Sequence, residues 1–327
     1  MKALGVRTVA VSAGVVALAA VPCLVGGDYG LYVAATACLF AILALAWALP
    51  AWFGLFSFGQ AAFFGVGAYA SALLAGRAGL SPWLGVAAAG VAAAGVAAGL
   101  GVACLHLRGP YFSLATLAAA EILRAVATNW EGLTEGAQGL VGIPALPPLA
   151  LGPLRLDAGS RPGAYGAALV ALLVLFVTAG VLQNSAAGAA WAAIRENEER
   201  AESLGVPAFR WKMLALLLSA AATGLAGALY AHMLRHLDPA TAFNVQFSVM
   251  PLVMGFLGGV EHRAGPVAGA VGLYLLNELV LQRWLPTAHL LFYALAIGLV
   301  VLYFPRGLHG RVARPSTADR RPSTADR

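Results

Sequence analysis

Residues 29–76, YGLYVAATACLFAILALAWALPAWFGLFSFGQAAFFGVGAYASALLAG, contain no Asp, Glu, Lys or Arg. A helix needs about 20 apolar residues to cross the hydrocarbon of a bilayer, so this one stretch is long enough for two crossings. Residues 78–107 and 162–194 are equally free of charge. Across its 327 residues the chain is 61% hydrophobic and 10% charged, with a mean hydropathy of +0.82. Soluble domains average only about 45–50% apolar residues. Backbone groups surrounded by lipid must be hydrogen-bonded within the segment, which makes these runs helices. The chain therefore reads as an all-α integral membrane protein.

Working outward, spans are expected at 8–27, 30–49, 56–76, 82–105, 109–129, 164–184, 213–234, 246–260, 265–282 and 287–304. That gives about ten transmembrane helices, with both termini on one side. If the charged loop 188–212 is cytoplasmic, fourteen Lys and Arg lie inside, five outside (Arg77, Arg155, Arg161, Arg235 and Arg283), and Arg124 falls within a span, accounting for all 20. The positive-inside rule supports this orientation. Residues 1–308 then form one polytopic domain with an external loop at 130–163. Residues 309–327, which repeat RPSTADR, form a basic cytoplasmic tail expected to be disordered and without a transport role.

The net charge of +6 sits in the cytoplasmic loops and the tail, where it meets anionic lipid headgroups rather than nucleic acid. The opening MKALGVR and its apolar run lack an A-x-A cleavage site, so the first helix is expected to be retained. Cys23, Cys38 and Cys104 show no C-x-x-C spacing and imply neither a disulfide framework nor a zinc site. The only lysines, Lys2 and Lys212, belong to no phosphate-binding G-x-x-x-x-G-K-[ST] loop. No cofactor is expected in this chain, and ATP, if it drives transport, binds elsewhere.

The charges concentrate in residues 191–212, WAAIRENEERAESLGVPAFRWK. Trp191, Ile194, Ala201 and Leu204 fall in one sector of a helical wheel. The pairs Arg195–Glu199 and Glu196–Arg200 are spaced to support an exposed helix. Gly205 supplies a left-handed end and Pro207 stops the helix from resuming. Two readings stand, a solvated linker between spans and a docking element. Glu199, Arg200, Ala201 and Gly205 resemble the Glu-Ala-Ala-x-x-x-Gly loop of ATP-binding cassette (ABC) importer membrane subunits, with Arg200 in place of an alanine. In that family the loop is a coupling helix that sits in a groove of the ATPase.

In residues 51–72, Gly54, Gly59, Gly65 and Gly67 interrupt an aromatic-rich run. Such glycines either allow close helix packing or let the helix unwind toward a substrate. Ser57, Gly59, Gln60, Phe64, Gly65, Gly67, Ala68 and Tyr69 resemble the third-span signature of branched-chain amino acid importer membrane subunits. The resemblance continues through Arg108-Gly109-Pro110-Tyr111-Phe112 with Thr116, Leu117 and Glu121, through residues 136–144, and through Ala193, Ile194, Arg195, Glu196, Asn197 and Glu198. It closes with Gly258-Gly259, Gly265-Pro266 and residues 304–308, and is nearer the LivM type than the LivH type. The resemblance implies a permease half-pore paired with a LivH-like paralogue, two ATPase subunits and an extracytoplasmic binding protein. Glu261-His262-Arg263 departs from the family pattern.

Glu121 and Arg124, spaced i,i+3 within a span, are expected to neutralise each other. His232, His236 and Asp238 lack the pattern of a catalytic zinc site, and metal binding is not expected. The charges of loop 130–163 either contact the binding protein or are simply solvated. The expected passage is drawn from the glycine-broken third span, with Ser57, Gln60, Phe64, Gly65, Gly67 and Tyr69, together with Tyr111 and Glu121. Its apolar, aromatic character suits a hydrophobic amino acid. Urea or short amides, an ion-coupled secondary transporter and a membrane enzyme remain as alternatives. The spacings Gly95/Gly99 and Gly265/Gly269 offer packing surfaces.

Overall fold

The computed structural model of the protein describes residues 27–107, 109–151, 154–156 and 158–278. The long helices are α1 (Gly27–Ala51), α2 (Gln60–Gly76), α3 (Pro82–Cys104), α4 (Pro110–Asn129), α6 (Arg161–Gln183) and α9 (Ala208–Leu234). Shorter ones are α5 (Glu131–Thr134), α7 (Ala186–Glu196), α8 (Glu198–Ser203), α10 (Pro239–Ala242), α11 (Gln246–Gly258) and α12 (Ala264–Leu276). Eight expected spans coincide with α1, α2, α3, α4, α6, α9, α11 and α12, while those at 8–27 and 287–304 lie outside the described residues, as do Arg108, Cys23 and the tail. Among the described residues, six segments are long and apolar enough to cross a bilayer, counting Pro239–Gly258 as one. The helices α2 and α12, of 17 and 13 residues, fall short of that length.

From Val33 onward helix α1 is apolar on every face and is accordingly buried almost throughout, packed among α6, α9, α11 and α12, while Asp28 and Tyr29 in its first turn are exposed. Helix α9 is wedged between α2 and α3. Glycine makes that wedge possible. A Cβ on Gly67 would lie 2.3 Å from the Gly224 carbonyl oxygen, one on Gly227 would lie 2.2 Å from the Phe64 carbonyl, and one on Gly224 would lie 2.5 Å from Ala93 Cβ. Without hydrophobic drive between helices in lipid, such close backbone approach is what holds them together.

The expectation of a glycine-broken third span is corrected. Gly65 and Gly67 sit inside one continuous helix, α2, and a Cβ on Gly65 would be 2.4 Å from the Phe243 ring. The interruption comes earlier, at residues 52–59, where Gly54 takes a φ of +89° that only glycine adopts freely. The two expected packing surfaces differ in use. Gly265 and Gly269 are used within the chain, since Cβ atoms there would meet the carbonyls of Gly259 and Met254 at 1.9 and 2.0 Å. Gly95 and Gly99 have no such neighbour within 4 Å.

Two small antiparallel pairs complete the described structure. Strand β1 (Leu140–Val141) pairs with β4 (His236–Leu237), and β2 (Leu149–Leu151) with β3 (Leu154–Leu156). The first pair ties the segment after α5 to the end of α9.

Candidate functional site

Residues 191–203 fall in two helices, α7 and α8, where the sequence suggests one, and α9 begins at Ala208. Asn197 turns extended (φ −162°, ψ 112°) and ends α7, and its side-chain oxygen accepts from the Arg200 backbone N–H at 2.9 Å, capping α8. This is the preferred role of Asn at a helix start. The break removes the Arg195–Glu199 and Glu196–Arg200 spacings from a continuous helical surface. It also resets the apolar face: Trp191, Ile194 and Ala201 are buried, but Leu204 is 84% exposed, contrary to expectation. Arg195, Glu196, Asn197, Glu199, Arg200 and Gly205 are exposed, and Glu198 is half-buried.

The end of α8 follows its sequence closely. Gly205, at φ +85°, donates to the Glu202 carbonyl, and Val206 donates to the Ala201 carbonyl. These bonds form the paired pattern of a Schellman end. The two-helix arm is fixed to the membrane body at several points. The Trp191 indole N–H donates to the Trp211 carbonyl at 2.9 Å, its ring lies 5.9 Å from that of Trp52, and the Trp52 indole donates to the Val260 carbonyl at 2.9 Å. Lys212 Nζ, buried, donates to Glu198 Oε1 at 2.5 Å. In the departing link Glu261-His262-Arg263, the Arg263 guanidinium lies 4.8 Å over the Phe176 ring, in the space a side chain at Gly180 would need.

Irregular buried backbone needs protein partners for its polar groups, and residues 52–59 find several. The Thr116 hydroxyl accepts from the Phe58 N–H, Trp47 donates to the Ser57 carbonyl, and the Ser57 hydroxyl accepts from the Gly59 N–H. Gln60 then opens α2 inside the bundle. Its amide donates to the Ser219 hydroxyl at 3.1 Å and accepts from the Thr223 hydroxyl at 2.6 Å, while the Ala61 N–H donates to the Ser248 hydroxyl. Ser57, Gln60, Ser219, Thr223 and Ser248 are all fully buried.

The expected passage residues therefore separate into two groups. Ser57, Gln60, Phe64, Gly65, Gly67 and Tyr69 lie in the interior, close-packed or hydrogen-bonded, and line no open channel in this conformation. Tyr111 and Glu121 lie on the outer face of α4, with Tyr111 70% exposed. On that face Arg124 Nε donates to Glu121 Oε2 at 2.8 Å, with the two side chains 43% and 47% exposed. The mutual neutralisation expected of this pair is present.

The two histidines take separate environments. His232 is buried, with its ring nitrogens 2.8 Å from the Ser71 hydroxyl and 2.7 Å from the Pro144 carbonyl. His236 is half-exposed and 3.7 Å from Asp238. Among the described residues no group of three metal-binding side chains converges.

The profile of a family described as "Branched-chain amino acid transport system / permease component" matches residues 29–303. The chain belongs to that family. Two proteins named high-affinity branched-chain amino acid transport system permease protein LivM, from Salmonella typhimurium strain LT2 and Escherichia coli strain K12, are each 31% identical to it over 249 residues. Those alignments cover 69% of this chain and 57% of each relative, so the chain spans little more than half the length of the curated relatives it matches. No solved structure matches it. It is a LivM-type, multi-pass membrane protein, and its family is one of transport components. The matched region takes in the arm, the 52–59 segment and the α4 face.

Several residues of this chain escape a one-dimensional reading. Ser219 and Thr223 are spaced i,i+4 in an apolar span, a readable signal of a polar stripe, but their partner Gln60 is 159 residues away from the nearer of them. Lys212 stands out as one of two lysines, yet nothing local announces its pairing with Glu198.

Proposed function

We propose that this chain is the permease subunit of an ABC importer that moves branched-chain amino acids delivered by an extracytoplasmic binding protein. The observation that carries this reading is the arm of α7 and α8. Its root is anchored by buried Trp191, while its tip presents an 84% exposed Leu204 amid charged side chains. A short polar helix, braced at its root and exposed along its charged side, is suited to enter a groove on a water-soluble partner. That partner is one of two ATPase subunits, which carry the ATP. The arm and both termini then lie in the cytoplasm of a bacterial cell membrane, and the region 130–163 faces the binding protein.

The outer face of α4 is the second half of the proposal. A half-exposed ion pair inside a span costs several kcal/mol if it faces hydrocarbon. The face bearing Tyr111, Leu114 and Glu121 is therefore turned to the seam with a LivH-like paralogue, where the passage runs. Buried Gln60 and its hydroxyl partners set the position of α2 rather than touching substrate.

Proteoliposomes holding the chain, its paralogue, the ATPases and the binding protein test the whole reading. ATP-dependent uptake of labelled leucine that requires the binding protein is expected. Uptake of urea alone would change the substrate, and uptake driven only by an ion gradient would overturn the mechanism.

A further inference from the structure

Two adjacent residues at the start of α9 each hold one helix of the arm. The Trp211 carbonyl accepts from Trp191 of α7, and the Lys212 ammonium donates to Glu198 of α8. The covalent route from α8 to α9 runs through residues 204–207, with Gly205 in a left-handed turn and Pro207 before the helix. The ion pair closes the loop from 198 to 212 and makes α8, the turn and the first turns of α9 one braced unit.

Lys212 is also expensive to bury. It is 6% exposed at the base of an apolar span, and an ammonium out of water costs several kcal/mol unless paired. A methionine of similar length would fill the same space without that cost. We infer that Lys212 is a positioning residue for transport: its ion pair with Glu198 carries displacement of the ATPase-bound arm into α9, and so into the membrane bundle. This rests on the docking role proposed above for the arm.

The test uses the reconstituted full complex and reads uptake per ATP hydrolysed. Lys212→Met removes the charge and keeps the stem, and leaves a half-exposed Glu198 free to turn into water. ATP hydrolysis is expected to continue while leucine uptake per ATP falls about five- to tenfold, the lower end of the range over which coupled sites influence one another. A wild-type ratio in Lys212→Met overturns the inference. If Lys212→Met does not assemble, Glu198→Gln decides, because it keeps an acceptor for the ammonium and removes only the charge. A lowered ratio is then expected, and a wild-type ratio overturns the inference. A photo-crosslinker placed on Leu204→Cys separates the two claims. Capture of the ATPase together with an unchanged ratio refutes the ion-pair role alone, whereas failure to capture the ATPase refutes the docking reading and the inference with it.

Discussion

Gly67→Ala is the sharpest test of how this bundle is held together. The added methyl would lie 2.3 Å from the Gly224 carbonyl oxygen and 2.4 Å from Gly224 Cα, so α2 and α9 must separate by about 1 Å to restore ordinary contact. Helix α9 has no room to retreat, because Gly224 is already pressed on Ala89 and Ala93 of α3. Overpacking of this kind costs about 1–3 kcal/mol, and the opened seam forfeits dispersion contacts besides. The gain in helix propensity from glycine to alanine returns at most ~1 kcal/mol. A net loss of about 2 kcal/mol is expected. Gly95→Ala supplies the control, since it makes the same chemical change on a helix face with no neighbouring atom within 4 Å, and should leave stability equal or slightly raised. Unfolding by SDS titration in mixed micelles, followed by circular dichroism, measures both. Equal midpoints for the two variants would refute the packing argument.

Other consequences are equally direct. Gln60→Leu removes two buried interhelical hydrogen bonds and should lower stability by about 1–3 kcal/mol in the same titration; an unchanged midpoint would show the cluster to be slack. Glu121→Gln strands Arg124 in a span and should reduce membrane insertion and assembly, at a cost of about 2.5 kcal/mol or more, while Glu121→Gln with Arg124→Gln should restore assembly. Trp191→Ala should loosen the arm and, on the docking role proposed for it, reduce capture of the ATPase by the purified chain, measured by pull-down, with the membrane bundle still folded. Asp238 caps α10 by accepting from Thr241. Burial pulls its carboxyl upward, but the hydrogen bonds from Thr241 and the nearby His236 outweigh this and hold it below the ordinary carboxylate value. Its contribution is therefore complete above the ordinary carboxylate pKa and is lost as pH falls through the depressed folded value. Acid titration of stability should show that loss in the wild type and a flatter profile in Asp238→Asn.

The all-helical, multi-pass character was legible because it rests on one strong signal, long runs without charge, whereas six candidate spans among the described residues do not establish the expected ten. The end of α8 was legible too, since Gly205 followed by Pro207 has a local chemical meaning. The break at Asn197 was not. An asparagine inside a helical pattern reads as a small propensity loss, and only the bond to Arg200 reveals a cap. Once the chain breaks there, the helical wheel loses phase, which is why Leu204 points outward. The glycines near residue 65 had two physical meanings in sequence, and the neighbouring backbones of Phe64, Gly224 and Gly227 decide for packing. The division of the passage residues between interior and α4 face depends on contacts between helices far apart in sequence, which periodicity does not carry.

Gly224, where α9 is gripped most tightly from both sides, lies twelve residues from Lys212 and ten from the helix end at Leu234. At 1.5 Å per residue those arms are about 18 and 15 Å long. The helix is thus a nearly balanced lever with its fulcrum at a glycine. Any rigid tilt about that point moves the arm's attachment and the β1–β4 pairing by similar distances in opposite directions, so a shift of about 2 Å on one side of the membrane reappears, reversed, on the other.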